Sequence, residues 1–342
     1  MAYSPILKPN TLMNTKLYTG NGSTNNITGV GFQPDWVWTK CRSTVNSSRL
    51  IDAVRGVTKA IVSNSTGAEF TEANGLSAFG TDGYTLNGNL ASMNTNSDTY
   101  VSWNWKANGA GSANTDGSIS STVSANTTSG FSIVSWTGTN ATGTVGHGLG
   151  STPKVVIYKN RTDVTNWYFT TTVIDGSNDL LFLNTTEASQ TFSAPVATNS
   201  LLNLIANNDT NGSGDNIIAY CFAEKQGYSK FGSYTGNGNA DGTFVYTGFK
   251  PAWVMVKNTN AVNHWAIYDN KRIGFNTENN YLRADGSYAE GSETWGDFDL
   301  LSNGFKPRAT DAMINSSGNT FIYMAFAEEP LVASNFNVAT AR

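Results

Sequence analysis

The chain has 342 residues, a formal charge of −4 and 13% charged side chains, about half the usual fraction of roughly 25%. So little charge, with no basic clusters, excludes the Lys/Arg stripes by which a protein holds nucleic acid. The 12% aromatic content, set among Asn, Ser, Thr and Gly, marks a chain with cores and contact surfaces to build rather than a disordered one.

The opening Met1-Ala2-Tyr3-Ser4-Pro5 has no charged region followed by an apolar stretch, and no run approaches the ~18 apolar residues of a membrane span. Neither a signal peptide nor membrane insertion is expected. Residues 1–15, with Pro5 and Pro9 and no periodicity, read as a loose arm.

A threefold internal repeat follows. Its copies open on Tyr18-Thr19-Gly20, Trp136-Thr137-Gly138 and Tyr234-Thr235-Gly236. A proline comes 14, 15 and 15 residues after the glycine (Pro34, Pro153, Pro251), then Trp36-Val37-Trp38, Val155-Val156-Ile157 or Trp253-Val254-Met255. A lysine stands six residues after each proline: Lys40, Lys159 and Lys257. Each copy closes on a strand-like run, Tyr100 to Ala107, Ile217 to Glu224 and Phe321 to Glu328. The divisions are an arm at 1–15, repeats at 16–108, 130–225 and 226–329, a Gly/Ser/Thr/Asn-rich linker at 109–129, and a tail at 330–342. Within the linker, Ile119 and Val123 could pair as an extra strand.

Runs rich in β-branched and aromatic residues alternate with Asp-Gly and Asn-Gly turns, and no window carries a long 3.6-period stripe with caps. The expected fold is all-β, as three tandem antiparallel β-sandwich (jelly-roll-like) modules. The final run, Phe321 to Ala327, is apolar at nearly every position and should bury both faces. In Tyr100 to Trp105 the alternation points Ser102 and Asn104 toward solvent.

Repeats 1 and 3 carry Asp-x-x-Arg twelve residues after the lysine, Asp52 with Arg55 and Asp269 with Arg272; repeat 2 has Thr171 there and no arginine. Carboxylate and guanidinium three residues apart can pair across a turn, and structural ion pairs are expected. Eight residues after the lysine, repeats 2 and 3 have Trp167 and Trp265, the latter followed by Tyr268. Their flat faces suit either core packing or stacking on a sugar ring, which makes Trp167, Trp265 and Tyr268 the candidate ligand-binding residues. Cys41 and Cys221 lie in different repeats and read as buried free thiols.

Asp209 to Asp215 matches the first half of a calcium loop, but Tyr220 stands where the bidentate glutamate belongs, so a turn is expected. His147 and His264, the only histidines, fall in different repeats and suggest no metal centre. Glu69, Glu72, Glu187, Glu290 and Glu293 show no repeated pairing of the kind glycoside hydrolysis needs. No catalytic, cofactor-binding or metal-binding residue is assigned.

Tyr18 to Ser23, Phe32-Gln33-Pro34-Asp35-Trp36-Val37-Trp38, Asp52 to Gly56, Trp265 to Arg272 and Phe321 to Pro330 together resemble segments of structural proteins of tailed bacteriophages, particularly marine ones, identified as tail fibre or virion appendage proteins. The resemblance implies a non-enzymatic virion protein assembled in a host cytoplasm, with other virion proteins of the tail or head as partners. It also implies a homo-oligomer, with a trimer favoured, and contact with a host-surface glycan. The alternatives are a capsid decoration protein, or a carbohydrate-binding module or depolymerase acting on host polysaccharide.

Overall fold

A computed structural model describes residues 4–332. The chain is all-β, and three of its sheets share one strand order. In repeat 1 the opening strand Met13–Thr19 pairs with the closing strand Thr99–Trp105. That strand pairs with the lysine strand Trp36–Cys41, which pairs with the return strand Arg49–Asp52. Repeat 2 runs Phe131–Thr137, Asn216–Phe222, Val155–Asn160, Tyr168–Thr171, and repeat 3 runs Ser229–Thr235, Thr320–Pro330, Phe249–Asn258, Ala266–Asp269. All these pairings are antiparallel.

The aromatic-Thr-Gly opening has a steric reason. Tyr18 stacks on Tyr100 and Tyr234 on Phe321, with ring centroids 5.2 and 5.0 Å apart, which pins the opening strand to the closing one. The chain then passes so close to the loop before the closing strand that only glycine fits. A Cβ on Gly20, Gly138 or Gly236 would lie 2.1, 2.1 or 2.3 Å from the carbonyl oxygen of Thr95, Gly212 or Ser316.

Strand alternation gives each main sheet two apolar faces. The outer face of each packs under a smaller sheet. Val37 and Ile51 meet Tyr84 and Leu86, Val134 and Val156 meet Leu202 and Leu204, and Val254 and Val256 meet Phe298, Leu300 and Phe305. These sheets of two or three short strands are smaller than the partner sheet of a jelly roll. The inner faces of all three main sheets meet in one core containing Trp36, Trp38, Trp103, Trp105, Ile157, Tyr220, Phe222, Trp253, Met255 and Phe326. Trp36 stacks on Tyr220 of the next repeat at 4.4 Å, and Trp105 meets Trp253 edge-on at 5.6 Å. Each such side chain contributes about 1.5–3 kcal/mol by leaving water. The repeats are therefore grouped around a shared core and not strung out as separate sandwiches.

Several expectations change accordingly. Ser102 and Asn104 are fully buried, because the outer face of their sheet is covered; Asn104 Nδ2 donates to Asn14 O and to Ser102 Oγ. The stretch read as a linker holds the strands Ser112–Asn114 and Ser121–Asn126, and the second pairs along its whole length with Phe131–Trp136. The arm is docked from residue 4 onward. Ile6 and Leu12 enter the shared core, Pro9–Thr11 forms a 3₁₀ turn, and residues 13–15 begin the opening strand. Ser4 N donates to Val332 O at 3.2 Å, so the two described ends meet. Residues 333–342 of the expected tail lie outside the described residues. Cys41 and Cys221 are both buried and free.

Candidate functional site

Trp36, Trp38 and Lys40 share one strand face, as do Val155, Ile157 and Lys159, and Trp253, Met255 and Lys257. Each lysine is thus carried into the interior at one end of the shared core, where none is more than 1% exposed. Lys40 Nζ donates to Asn46 O at 2.6 Å and to Gly286 O at 2.8 Å. Lys159 donates to Thr165 O at 2.7 Å and Thr66 O at 2.9 Å, and Lys257 to Asn258 O at 2.9 Å and Thr186 O at 3.1 Å. Every lysine therefore bonds one carbonyl near it in the chain and one from another repeat: repeat 1 reaches 3, 2 reaches 1, and 3 reaches 2. Burial pulls each ammonium down to about 8, opposed by the negative charge of Asp285 near Lys40 and Lys257 and of Asp209 and Asp163 near Lys159.

The backbone bonds the same three seams in the opposite donor sense. Glu69 N donates to Arg161 O, Ser189 N to Thr259 O and Glu290 N to Arg42 O, each at 2.9 Å. The three repeats thus close into a ring with three equivalent seams.

Two seams are sealed by ions. In the seam of repeats 1 and 2, Asp52 pairs with Arg55 and accepts the Tyr220 hydroxyl at 2.7 Å. Arg55 continues to Glu69 at 3.2 Å, and Glu69 takes a two-pronged bond from Arg161, both prongs at 2.9 Å. Burial works against the Glu69 charge, but Arg161 and Arg55 together hold its carboxyl below the ordinary value. In the seam of repeats 3 and 1, Asp269 pairs with Arg272 at 2.7 Å and accepts Trp103 Nε1 at 3.0 Å; Arg272 continues to Glu290, which Arg42 clasps at 2.8 and 3.0 Å. Among the described residues the third seam has no such chain. Thr171 Oγ1 turns to Lys154 O, and Ile174, at the arginine position, packs into the core. Met324 occupies the place of Tyr220 and Trp103, opposite Met255 as they are opposite Ile157 and Trp38.

The residues named as ligand-binding candidates belong to this framework. Trp167, Trp265 and Tyr268 are at most 1% exposed, so none presents a face to a sugar. Trp167 Nε1 donates across its seam to Val62 O at 2.9 Å and Trp265 Nε1 across the next to Phe182 O at 3.0 Å. Tyr268 donates to Gly296 O and stacks on Phe298. Asp52, Arg55, Asp269 and Arg272 form buried pairs. The Asp209 to Asp215 segment is a turn: Asn208–Asn211 is one helical turn capped by Asn207, Asp209 accepts Asn166 N, and Asp215 accepts Asn160 Nδ2. Burial lowers the His147 pKa, and its bond to Thr198 O works against that shift. Among the described residues no group of three or more His, Cys, Asp and Glu is placed to hold a metal ion.

What the sequence did not mark is a depression of about 380 Å³ at the lysine end, lined by all three repeats. Its wall holds Asn64, Asn184 and Asp285, which do equivalent work. Asn64 Oδ1 accepts Ser48 N at 3.3 Å, Asn184 Oδ1 accepts Trp167 N at 2.7 Å and Asp285 Oδ1 accepts Trp265 N at 3.0 Å. Each also bonds the side chain one residue earlier: Asn64 with Ser47, Asn184 with Asn166, Asp285 with His264 at 2.7 Å. Two of the three pairs are neutral and one is His–Asp. Beside the third stands Tyr288, 50% exposed, with the Arg283 guanidinium 4.4 Å from its ring centroid. A second cleft of about 430 Å³ lies at the other end of the strands, between Ser4, Glu224, Lys230, Tyr246 and Leu331.

Comparison with curated proteins finds no match. The model of one family, described as a domain of unknown function (DUF7483), matches residues 8–330, a span that takes in the docked arm and all three repeats, and the chain belongs to that family.

Proposed function

We propose that this is a non-enzymatic structural and binding protein of a tailed-bacteriophage virion, an appendage or tail-fibre subunit that takes part in host attachment. The observation that carries the reading is the closed ring of three repeats, locked by equivalent lysine and backbone bonds at every seam. Such a body is a rigid mount: it fixes loops from three repeats around one mouth, as the tip of a trimeric fibre does with three chains. In this proposal the trimer expected from the sequence is realised by three repeats of one chain. The resemblance of Phe32 to Trp38 and Trp265 to Arg272 to phage appendage proteins supplies the virion context.

Antibodies against the chain should decorate purified virions at the tail, and the purified chain should bind envelopes of the host. Absence of the protein from the particle would overturn the reading. Decoration of the capsid at local threefold positions, which a three-lobed ring also fits, would move it to the head.

A further inference from the structure

We propose that the depression at the lysine end is a saccharide-binding site, and that Tyr288 is its stacking platform. This inference deepens the attachment reading and rests on it for biological context, but its chemistry stands on the depression alone. A volume of about 380 Å³ lies in the lower part of the range of small-ligand sites, roughly 300–1,000 Å³. The lining combines Asn64, Asn184, Thr185, Ser287 and His264, which offer both donors and acceptors, as a ring of hydroxyls requires.

The third repeat departs from the other two in the way a sugar site demands. Where repeats 1 and 2 place Ser47 with Asn64 and Asn166 with Asn184, repeat 3 places His264 with Asp285 and adds an aromatic ring at the rim. The Asp285 side chain is 1% exposed and takes His264 Nδ1 and Trp265 N, which leaves the imidazole edge, its side chain 30% exposed, toward the opening. Tyr288 is held from one side by Arg283 and edge-on by His264 at 5.6 Å, so its orientation is fixed before a ligand arrives. Gly286 makes room for it: a Cβ there would lie 2.6 Å from the Tyr288 ring. A fixed, half-exposed aromatic ring beside amides and hydroxyls binds the apolar face of a pyranose and its equatorial hydroxyls together.

The test is saturation-transfer NMR on the full chain with lactose, maltose and cellobiose as probes. Transfer to the ring protons of at least one disaccharide is expected. It should be lost, or weakened at least about tenfold, in Tyr288→Ala, and kept in Tyr246→Ala, which removes an equally exposed tyrosine from the cleft at the other end. Unchanged circular dichroism and melting of both variants would show that the fold is intact. No transfer from any of the three sugars, or transfer that survives Tyr288→Ala, overturns the proposal. Sugar binding by a protein absent from virions would leave the site standing and remove the attachment reading; a virion protein that ignores all three sugars would do the reverse.

Discussion

The three seams of the ring have the same backbone and different chemistry. Between repeats 1 and 2, and between 3 and 1, an Asp–Arg–Glu–Arg chain runs through the contact, its Asp and first Arg with no exposed side-chain surface. Between repeats 2 and 3 the corresponding places hold Thr171, Ile174 and Met324. The lysine bond and the Ser189 N to Thr259 O bond are retained there. Geometry is thus set by what all seams share, the lysines and the backbone, and the ionic chain is one of two ways to fill the same space. The partner residue changes in step: Tyr220 and Trp103 each give a donor to the aspartate they face, whereas Met324, with no aspartate to face, has no donor to give.

The largest effect should come from breaking an ionic seam halfway. Arg55→Ala leaves Asp52 buried with only the Tyr220 hydroxyl as a side-chain donor, and removing one partner of a buried pair costs about 3–5 kcal/mol. Urea denaturation followed by fluorescence should show that loss, and Ile174→Ala in the third seam should cost less, about 2–3 kcal/mol at most because the side chain is only partly buried. Equal losses would mean that the seams are not chemically distinct.

Next in size is the indole bond that crosses two seams. Trp167→Phe and Trp265→Phe each remove the indole donor from a carbonyl, of Val62 or Phe182, that is left with a long backbone bond from Ser65 N or Thr185 N, and open a small cavity, which together cost about 2 kcal/mol. The two should agree within error by thermal melting, although one crosses an ionic seam and the other an apolar one. A clear difference would show that seam chemistry reaches into this bond as well.

The lysines should behave alike whatever seals their seam. Each has a folded pKa of about 8, below its ordinary 10.5, so between those values the unfolded chain holds more protons than the folded one. Stability from these groups therefore rises with pH across that window, by roughly 2 kcal/mol for each lysine between pH 7 and 9.5. Above pH ~10 the buried tyrosines act the other way: Tyr84 and Tyr158, pushed up by burial, keep protons that the unfolded chain releases. Melting temperatures should peak near pH 9–10, and Lys257→Met should remove about a third of the rise. A flat profile from pH 7 to 9.5 would mean that the ammonium groups are better compensated than their carbonyl partners indicate.

These contrasts also mark what the sequence could carry. Repeats, strand class and the Asp-x-x-Arg pairs were legible because each is local: turn chemistry, alternation and a three-residue spacing decide them. The meaning of Lys40, Lys159 and Lys257 was not, since each takes its second carbonyl from 71 to 246 residues away in the chain. Trp167 and Trp265 have the same one-letter appearance whether a tryptophan stacks on a sugar or donates across a seam. Ser121–Asn126 was legible only through Val123, because its other residues are polar or small and Gly, Ser, Thr and Asn surround it, although it pairs on both sides, with Ser112–Asn114 and Phe131–Thr137. Asn64, Asn184 and Asp285 escaped notice because they stand 24, 25 and 28 residues after their lysines, a drift that conceals their equivalence until the hydrogen bonds reveal it.

The smallest effect expected is the most informative. Transplanting the apolar seam into the first one, as Asp52→Thr, Arg55→Ile and Tyr220→Met together, removes a buried ion pair and its hydroxyl donor at once and leaves no orphaned charge. Glu69 keeps its two-pronged bond from Arg161. Replacement of a buried pair by apolar groups of similar size is often neutral or better, because two desolvation costs vanish with the attraction. The triple variant should lie within about 1 kcal/mol of the parent, far above Arg55→Ala, in the same urea titration. A loss as large as the single variant's would show that the ionic chain itself holds repeats 1 and 2 together. Near-neutrality would show that the ring is closed by its lysines and backbone, and that charge at a seam decides only which residue can face it.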